Sequence, residues 1–228
     1  MEFFEVIKRR RSVRKYSEKP VPAEVIRKAL DAALMAPNSS NMQTWQFHWV
    51  KTLAKRKALI DACLGQSAAA SAQELVVVSV RPSLWKKTAQ DILDSKLPDG
   101  LESKMKDYYG KLMPLIYGYQ ILAPFKWFIY NVIGIFKPIP RKPWSMRDRE
   151  ETCIKSAALA CENFMLAIAA QGFDTCPMEG FDEPRVKKLI NGKLCDRIVM
   201  VISVGDRVDR GVWGEQYRSP REWFVFEV

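Results

Sequence analysis

Hydrophobic positions recur with two periods, and the alternation between them divides the chain into elements. Phe3, Phe4 and Ile7 form an apolar stripe that predicts a helix over residues 2–11. Ser17 to Pro22 reads as a turn, with Pro22 where a first helical turn tolerates proline. Val25, Ile26, Ala29, Leu30, Ala33 and Leu34 then recur at helical spacing to about residue 35, where Pro37 and an Asn/Ser run break the pattern. Trp45 to Lys51 alternates like a strand, Lys55 to Leu64 returns to a helical period, and Gly65 suits its cap. Leu75 to Val80 is the β-branched run of a buried strand. Residues 152–171 are apolar nearly all round, which places that helix in an interior or at a subunit interface, with Gly172 ending it. A short helix over 183–190, a buried strand over 198–204 and a last extended segment over 223–228 complete the pattern. No internal repeat interrupts it, so residues 1–228 read as one domain.

Residues 82–150 fit this pattern least well. Within them, Leu112 to Phe136 is a 25-residue apolar and aromatic stretch, long enough to cross a bilayer. Pro114, Pro124, Lys126, Asn131 and two glycines interrupt it. The first expectation is an arm packed over a partner subunit. The second is insertion into a membrane interface, because Lys104, Lys106 and Lys111 flank one side and Lys137, Arg141 and Lys142 the other.

Charge and rare residues narrow the chemistry. A formal net charge of +10 and a pI near 9.4 favour anionic partners without choosing among nucleic acid, lipid and phosphorylated small molecules. The five cysteines are odd in number and form no Cys-x-x-Cys pair, so a reducing, cytoplasmic compartment is expected and each thiol is read as a small buried hydrophobe. His48 is the single histidine, which removes multi-histidine zinc sites and leaves no metal site expected. It lies in an alternating segment and reads as a strand-face residue without catalytic work. The N-terminus has no basic region followed by an apolar one, so it is not read as a secretory signal.

Two segments carry most of the candidate chemistry. Arg9-Arg10-Arg11-Ser12-Val13-Arg14 gathers guanidinium groups beside a hydroxyl. If the first helix continued, Arg10 and Arg14 would share a face and could hold a phosphate between them, with Ser12 adding a donor. A solvated charge run or a nucleic-acid patch are the plainer readings of such a cluster alone. Asn38-Ser39-Ser40-Asn41-Met42-Gln43 follows a helix and precedes a strand, where amides and hydroxyls could meet the alternating donors and acceptors of a pyrimidine-like ring. Trp45 is read as core.

These segments resemble the flavin-binding signature of the nitroreductase family: an RRSxR run, then an Ala-Pro-polar loop ending in tryptophan. Cys176-Pro177-Met178-Glu179-Gly180-Phe181-Asp182 resembles the family's P-x-E-G-F-D turn, and Tyr217-Arg218-Ser219-Pro220 its C-terminal R-x-P. The resemblance runs from about Val6 to the end, apart from 82–150. It implies an α+β fold, a mainly antiparallel sheet wrapped by helices, forming a homodimer with FMN at the interface. It also implies that the long apolar helix forms the dimer core and that the last strand crosses to the partner's sheet. Arg10, Ser12 and Arg218 match residues that hold the FMN phosphate and ribityl chain, with Arg11 in the same cluster, and Arg14 matches a basic residue at the pyrimidine edge. Asn38, Ser39 and Asn41 match the polar loop that reaches the partner subunit's flavin, and Gln66 a pyrimidine-edge amide. Pro177, Met178, Glu179 and Gly180 match the turn whose backbone faces flavin N5.

Departures are local: Asn38 stands for a usual serine, Thr44 for a usual proline, and Ala68, Ala69 and Ala70 occupy the place of a second basic residue. No match to the lid of the family's deiodinases is found. The implied activity is ping-pong reduction of nitroaromatics, quinones or similar acceptors by NADH or NADPH, with no side chain required as acid, base or nucleophile. Alternatives are a membrane-surface flavoenzyme acting on an apolar substrate, or a flavin-holding protein with little turnover. Nucleic acid is not expected as a partner, since the basic residues are scattered and no reading motif is present.

Overall fold

In the computed structural model, which describes residues 2–97, 99–118, 122–140, 142–143 and 145–228, four strands build one antiparallel sheet. They are β1 (Trp45–Trp49), β2 (Glu74–Val80), β3 (Asp174–Met178) and β4 (Arg197–Gly205), in the order β1-β2-β4-β3. The register sets His48 opposite Val77, Val77 opposite Val201, and Thr175 opposite Val204. The two-residue period of β2 divides the interior. Val76, Val78 and Val80 face one core, while Leu75 and Val77 face the other.

The first core lies under α2 (Ala23–Leu34) and α9 (Met146–Ala170), which drive Ile26, Ala29, Phe164 and Ile168 fully out of water. The second lies under α3 (Leu53–Ala62), α4 (Ser67–Ala70) and α10 (Glu183–Leu189), closed by Leu59, Ala69 and Val186. This is the α+β layering that the two periods imply.

Helix α9 begins before residue 152. Ser145 Oγ accepts from Asp148 N at 3.1 Å and Asp148 Oδ2 accepts from Ser145 N at 3.0 Å, forming a capping box. Its first turns are charged, so apolar periodicity does not reveal them. Gly172, at φ 90°, ends the helix as expected. Among the described residues α9 is the one helix long and apolar enough to cross a membrane, but half of its most apolar stretch is buried within the fold, as befits a core helix.

Three expectations are corrected. Helix α1 covers Phe3–Arg9 and buries only Val6, while Phe3, Phe4 and Ile7 remain exposed. Cys176 to Met178, expected within a turn, lie in β3, where Pro177 is tolerated because the strand is at the edge of the sheet. The tail is not a strand in the single chain. A 3-10 turn over Arg221–Trp223 leads into irregular backbone, with Trp223, Phe224 and Phe226 exposed.

Residues 82–150 fold into α5 (Trp85–Asp94), α6 (Glu102–Asp107), a π-turn over Tyr108–Leu112, α7 (Met113–Tyr117) and α8 (Ala123–Phe136). A third, small core of Met42, Trp85, Ala89, Met113 and Tyr117 ties them to the main body. The 112–136 stretch is therefore two separate helices. Its residues 119–121, and the flanking Arg141, lie outside the described residues.

Candidate cofactor site

The arginine cluster is positioned by extended backbone. At Arg10 the chain leaves α1 with φ −58° and ψ 125°. Ser12 then forms a parallel bridge with Thr175, and Val13 N donates to Thr175 O at 3.0 Å. On its far side Arg14 N donates to Gly211 O at 2.7 Å, and Tyr16 bridges Arg207. This backbone is not helical, so Arg10 and Arg14 do not meet through one helical turn as expected. Val13 and Tyr16 turn inward as anchors. The Tyr16 hydroxyl lies 2.9 Å from Ser203 Oγ, and burial drives its pKa upward. The close approach also requires glycine at 211, where a Cβ would sit 2.6 Å from Lys15 O.

Arg10, Arg11, Ser12 and Arg14 line a cavity of about 300 Å³, and Arg218 lines it too. Residues some 200 positions apart in the chain thus meet around one space. Arg11 Nη2 donates to Gly214 O at 2.9 Å, and the Arg14 guanidinium stacks on Trp213 at 3.9 Å from the ring centre. With its amide oriented by its neighbours, Gln216 donates to Lys8 O at 3.3 Å and accepts from Arg218 Nη2 at 2.9 Å. Four arginines and one carboxylate, Glu215, line the cavity. That donor set suits a phosphorylated ligand. Arg10 is paired with Glu162 of α9 at 3.3 Å, a half-exposed contact that an incoming phosphate can displace at little cost.

Beyond Thr175, strand β3 leads to Pro177, Met178, Glu179 and Gly180. Gln66, just before α4, donates to Gly180 O at 2.6 Å and brings two of the expected residues together. The five-residue path from Thr175 to Gly180 spans at most roughly 16 Å, room for an elongated cofactor along this edge. Cys176 lies within it. Burial pushes its thiol pKa up, and the Arg14 charge partly opposes that shift.

The polar loop is built differently and lies elsewhere. Ser40, Asn41 and Gln43 all adopt positive φ, at 55°, 55° and 45°. Three non-glycine residues in that region are uncommon and costly, the kind of stored strain that marks functional loops. Internal bonds hold it: Asn38 Oδ1 accepts from Gln43 N at 2.9 Å, and Asn41 Oδ1 accepts from Gln43 Nε2 at 3.2 Å. Ser39 Oγ lies 2.8 Å from the Tyr117 hydroxyl, whose pKa burial raises.

Ser39 faces a separate cavity of about 230 Å³ with Tyr117, Asp148 and Lys155. Within one chain, therefore, Asn38, Ser39 and Asn41 do not meet the arginines. Both groups adjoin α9, through the Ser39 N to Ser156 Oγ bond at 3.3 Å and the Arg10–Glu162 pair. These two anchor points are about 9 Å apart along the helix.

Several lining residues escaped sequence reasoning. Trp213 and Gln216 lie just before the Arg218 motif, and the bracketing Gly211 and Gly214 were the available signal. Nothing in the local pattern around Glu162 or Tyr117 marks them. His48 lies on strand β1 and Trp45 in the core, as their patterns imply. His48 Nε2 lies 3.0 Å from Ser79 Oγ, with its pKa lowered by burial and by Arg81, and Trp45 is buried.

Similarity to known proteins follows the same outline. The chain is 27% identical to protein DrgA of Synechocystis over 221 residues, covering 96% of this chain and 91% of that protein. It is 25% identical to an NADH dehydrogenase of Thermus thermophilus over 217 residues, covering 95% and 91%. The fold matches that of an Exiguobacterium sibiricum protein solved in complex with FMN, with a TM-score of 0.73 and 19% identity over 100% of this chain and 98% of that one. The family model described as "Nitroreductase family" matches residues 7–206, and with that match the chain belongs to the nitroreductase family.

Proposed function

We propose that the protein is an FMN-dependent enzyme that uses NADH or NADPH to reduce nitroaromatics, quinones or similar electron-poor acceptors in a ping-pong cycle. The observation that carries this reading is the convergence of Arg10, Ser12, Arg14 and Arg218 on one cavity beside the β3 edge. The FMN in the Exiguobacterium structure and the nicotinamide donor named for the Thermus relative support it.

Bound flavin would supply two-electron, hydride-level redox chemistry between the nicotinamide and the acceptor. The chain's own work is positioning and electrostatics. Arg10 and Arg218 offer guanidinium donors to the phosphate, and Ser12 offers a hydroxyl to the ribityl chain. Arg14, held against Trp213, places a cation where reduction develops negative charge, which raises the flavin potential. The Gln66–Gly180 bond holds the backbone of the turn that would face flavin N5.

The site is completed by a second copy. The polar loop of each chain lies away from its own arginine cavity, so Asn38, Ser39 and Asn41 serve the partner's flavin. The exposed Ile154 and Leu159 of α9 form the dimer contact, and the C-terminal tail crosses to the other subunit.

Steady-state kinetics test the reading. With FMN-loaded protein, NADH and a soluble acceptor such as menadione varied together should give parallel double-reciprocal lines. Intersecting lines would contradict ping-pong turnover, and no acceptor-dependent NADH oxidation would favour a flavin-holding role.

A further inference from the structure

Helix α8 is apolar and uncovered. Phe125, Phe128, Ile129, Val132, Ile135 and Phe136 recur at three- and four-residue spacing and share one face, every one of them exposed, with Phe136 at 83%. The one charged side chain of the helix, Lys126, is turned inward. Its ammonium donates to Leu115 O at 2.7 Å and Gly118 O at 3.2 Å, at the end of α7. The Asn131 amide donates back to Trp127 O at 2.8 Å, so that polar group is met within the helix. A helix so apolar is ordinarily buried, and nothing in the described fold covers this one.

Three observations choose the occupant. At 14 residues α8 is about 21 Å long, short of the roughly 30 Å hydrocarbon core, so it can lie in a bilayer interface and cannot span it. Residues 108–147 carry six basic side chains (Lys111, Lys126, Lys137, Arg141, Lys142 and Arg147) and no Asp or Glu; Lys126 is turned inward and Lys111 and Lys142 pair with Asp107, Asp148 and Glu151, while Lys137 and Arg147 flank the helix as exposed cations. That charge complements anionic lipid, and it sets like against like if two such segments pair. Half of that face is phenylalanine, and Trp127 beside it is also exposed, which suits the depth of the headgroup boundary.

We infer that α8 is a monotopic anchor that inserts its Phe125–Phe136 face into the interface of an anionic bilayer. The inference does not depend on the flavin reading, because it rests on a helix outside the candidate cofactor site.

The test is flotation of the full-length, FMN-loaded protein with vesicles of phosphatidylcholine containing phosphatidylserine, against phosphatidylcholine alone, at low and high salt. The protein should float with the anionic vesicles at low salt, less so at high salt, and weakly with neutral ones. Phe128→Glu with Phe136→Glu should lower the vesicle partition coefficient at least tenfold, while flavin content and NADH-dependent reduction of soluble menadione stay at the wild-type level. Ile135→Glu, at a third exposed position, should act in the same direction. Absence of wild-type flotation overturns the inference. So does a double variant that floats like wild type, or one whose main change is loss of oligomers by sedimentation, which would assign the face to a second copy.

Discussion

The Arg14 guanidinium lies 3.9 Å from the centre of the Trp213 ring, which joins the N-terminal arginine cluster to the segment leading to Arg218. Neither residue fixes the cavity alone. The backbone of Arg14 is set by Gly211, and the stack orients its charge. Arg14→Gln should lower the flavin midpoint potential and weaken FMN binding by roughly tenfold to a hundredfold, the range of a charge-assisted hydrogen bond of about 1.5–3 kcal/mol. Trp213→Ala keeps the charge and frees it, so its effect on binding should be smaller, about 0.5–2 kcal/mol. Redox titration and fluorescence titration of the apoprotein read both effects. A potential unchanged in Arg14→Gln would remove this residue from the flavin edge.

Arg218 and Arg10 are assigned to the phosphate, which separates them from Arg14 by ligand. Arg218→Gln should weaken FMN by about 1.5–3 kcal/mol yet leave riboflavin affinity nearly unchanged. Glu162→Gln releases Arg10 from its ion pair and should bind FMN as well as or better than wild type. Equal losses for FMN and riboflavin in Arg218→Gln would point to a general disturbance of the cavity.

The tail test concerns assembly. Removing residues 219–228 strips the exposed Trp223, Phe224 and Phe226. Sedimentation should show the shortened protein as a monomer with little bound FMN. A truncated chain that stays dimeric would contradict the crossing tail.

Acid stability should depend on Asp196. Burial alone raises the pKa of this carboxylate, but the fork of Arg81 Nε and Nη2, with Nη2 at 2.8 Å, and the Lys193 N–H outweigh that effect and bring it below the usual aspartate value. A depressed folded pKa contributes stability that is present above the unfolded value near 4 and lost as pH falls through the folded one. Urea midpoints measured from pH 7 to 3 should therefore fall below about pH 4. Arg81→Met leaves the carboxylate buried without its partner and should cost about 3–5 kcal/mol at neutral pH. A variant as stable as wild type at pH 7 would show that the pair is not needed.

The sequence made the scaffold legible where one period ran unbroken: α2, β2, β4 and the body of α9 lie where their apolar spacing put them. It misplaced elements where side-chain pattern and backbone disagree. Arg10 breaks from the helix that its neighbours suggest, because the segment beyond it bridges to Thr175, a contact some 160 residues away. Cys176 to Met178 look like a turn because of Pro177 and Gly180, yet the edge of a sheet accommodates that proline. Arg10, Ser12, Arg14 and Arg218 were recognisable as separate motifs, and their meeting around one cavity depends on the Gly211 crossing, which no local period encodes. Trp213 and Glu162 were silent because their roles arise from tertiary contact alone. The polar loop was legible in composition, while its three positive φ angles and its distance from the arginines belong to the fold.

The central claim is a redox-active flavin held at the arginine cavity, and the most direct measurement is the visible absorption spectrum of the purified protein, followed by anaerobic addition of NADH and then NADPH. The account predicts flavin bands, from the bound cofactor or after reconstitution with FMN, that bleach on adding one or both nucleotides. A colourless protein that takes up no FMN, or bands that neither nucleotide bleaches, would contradict it.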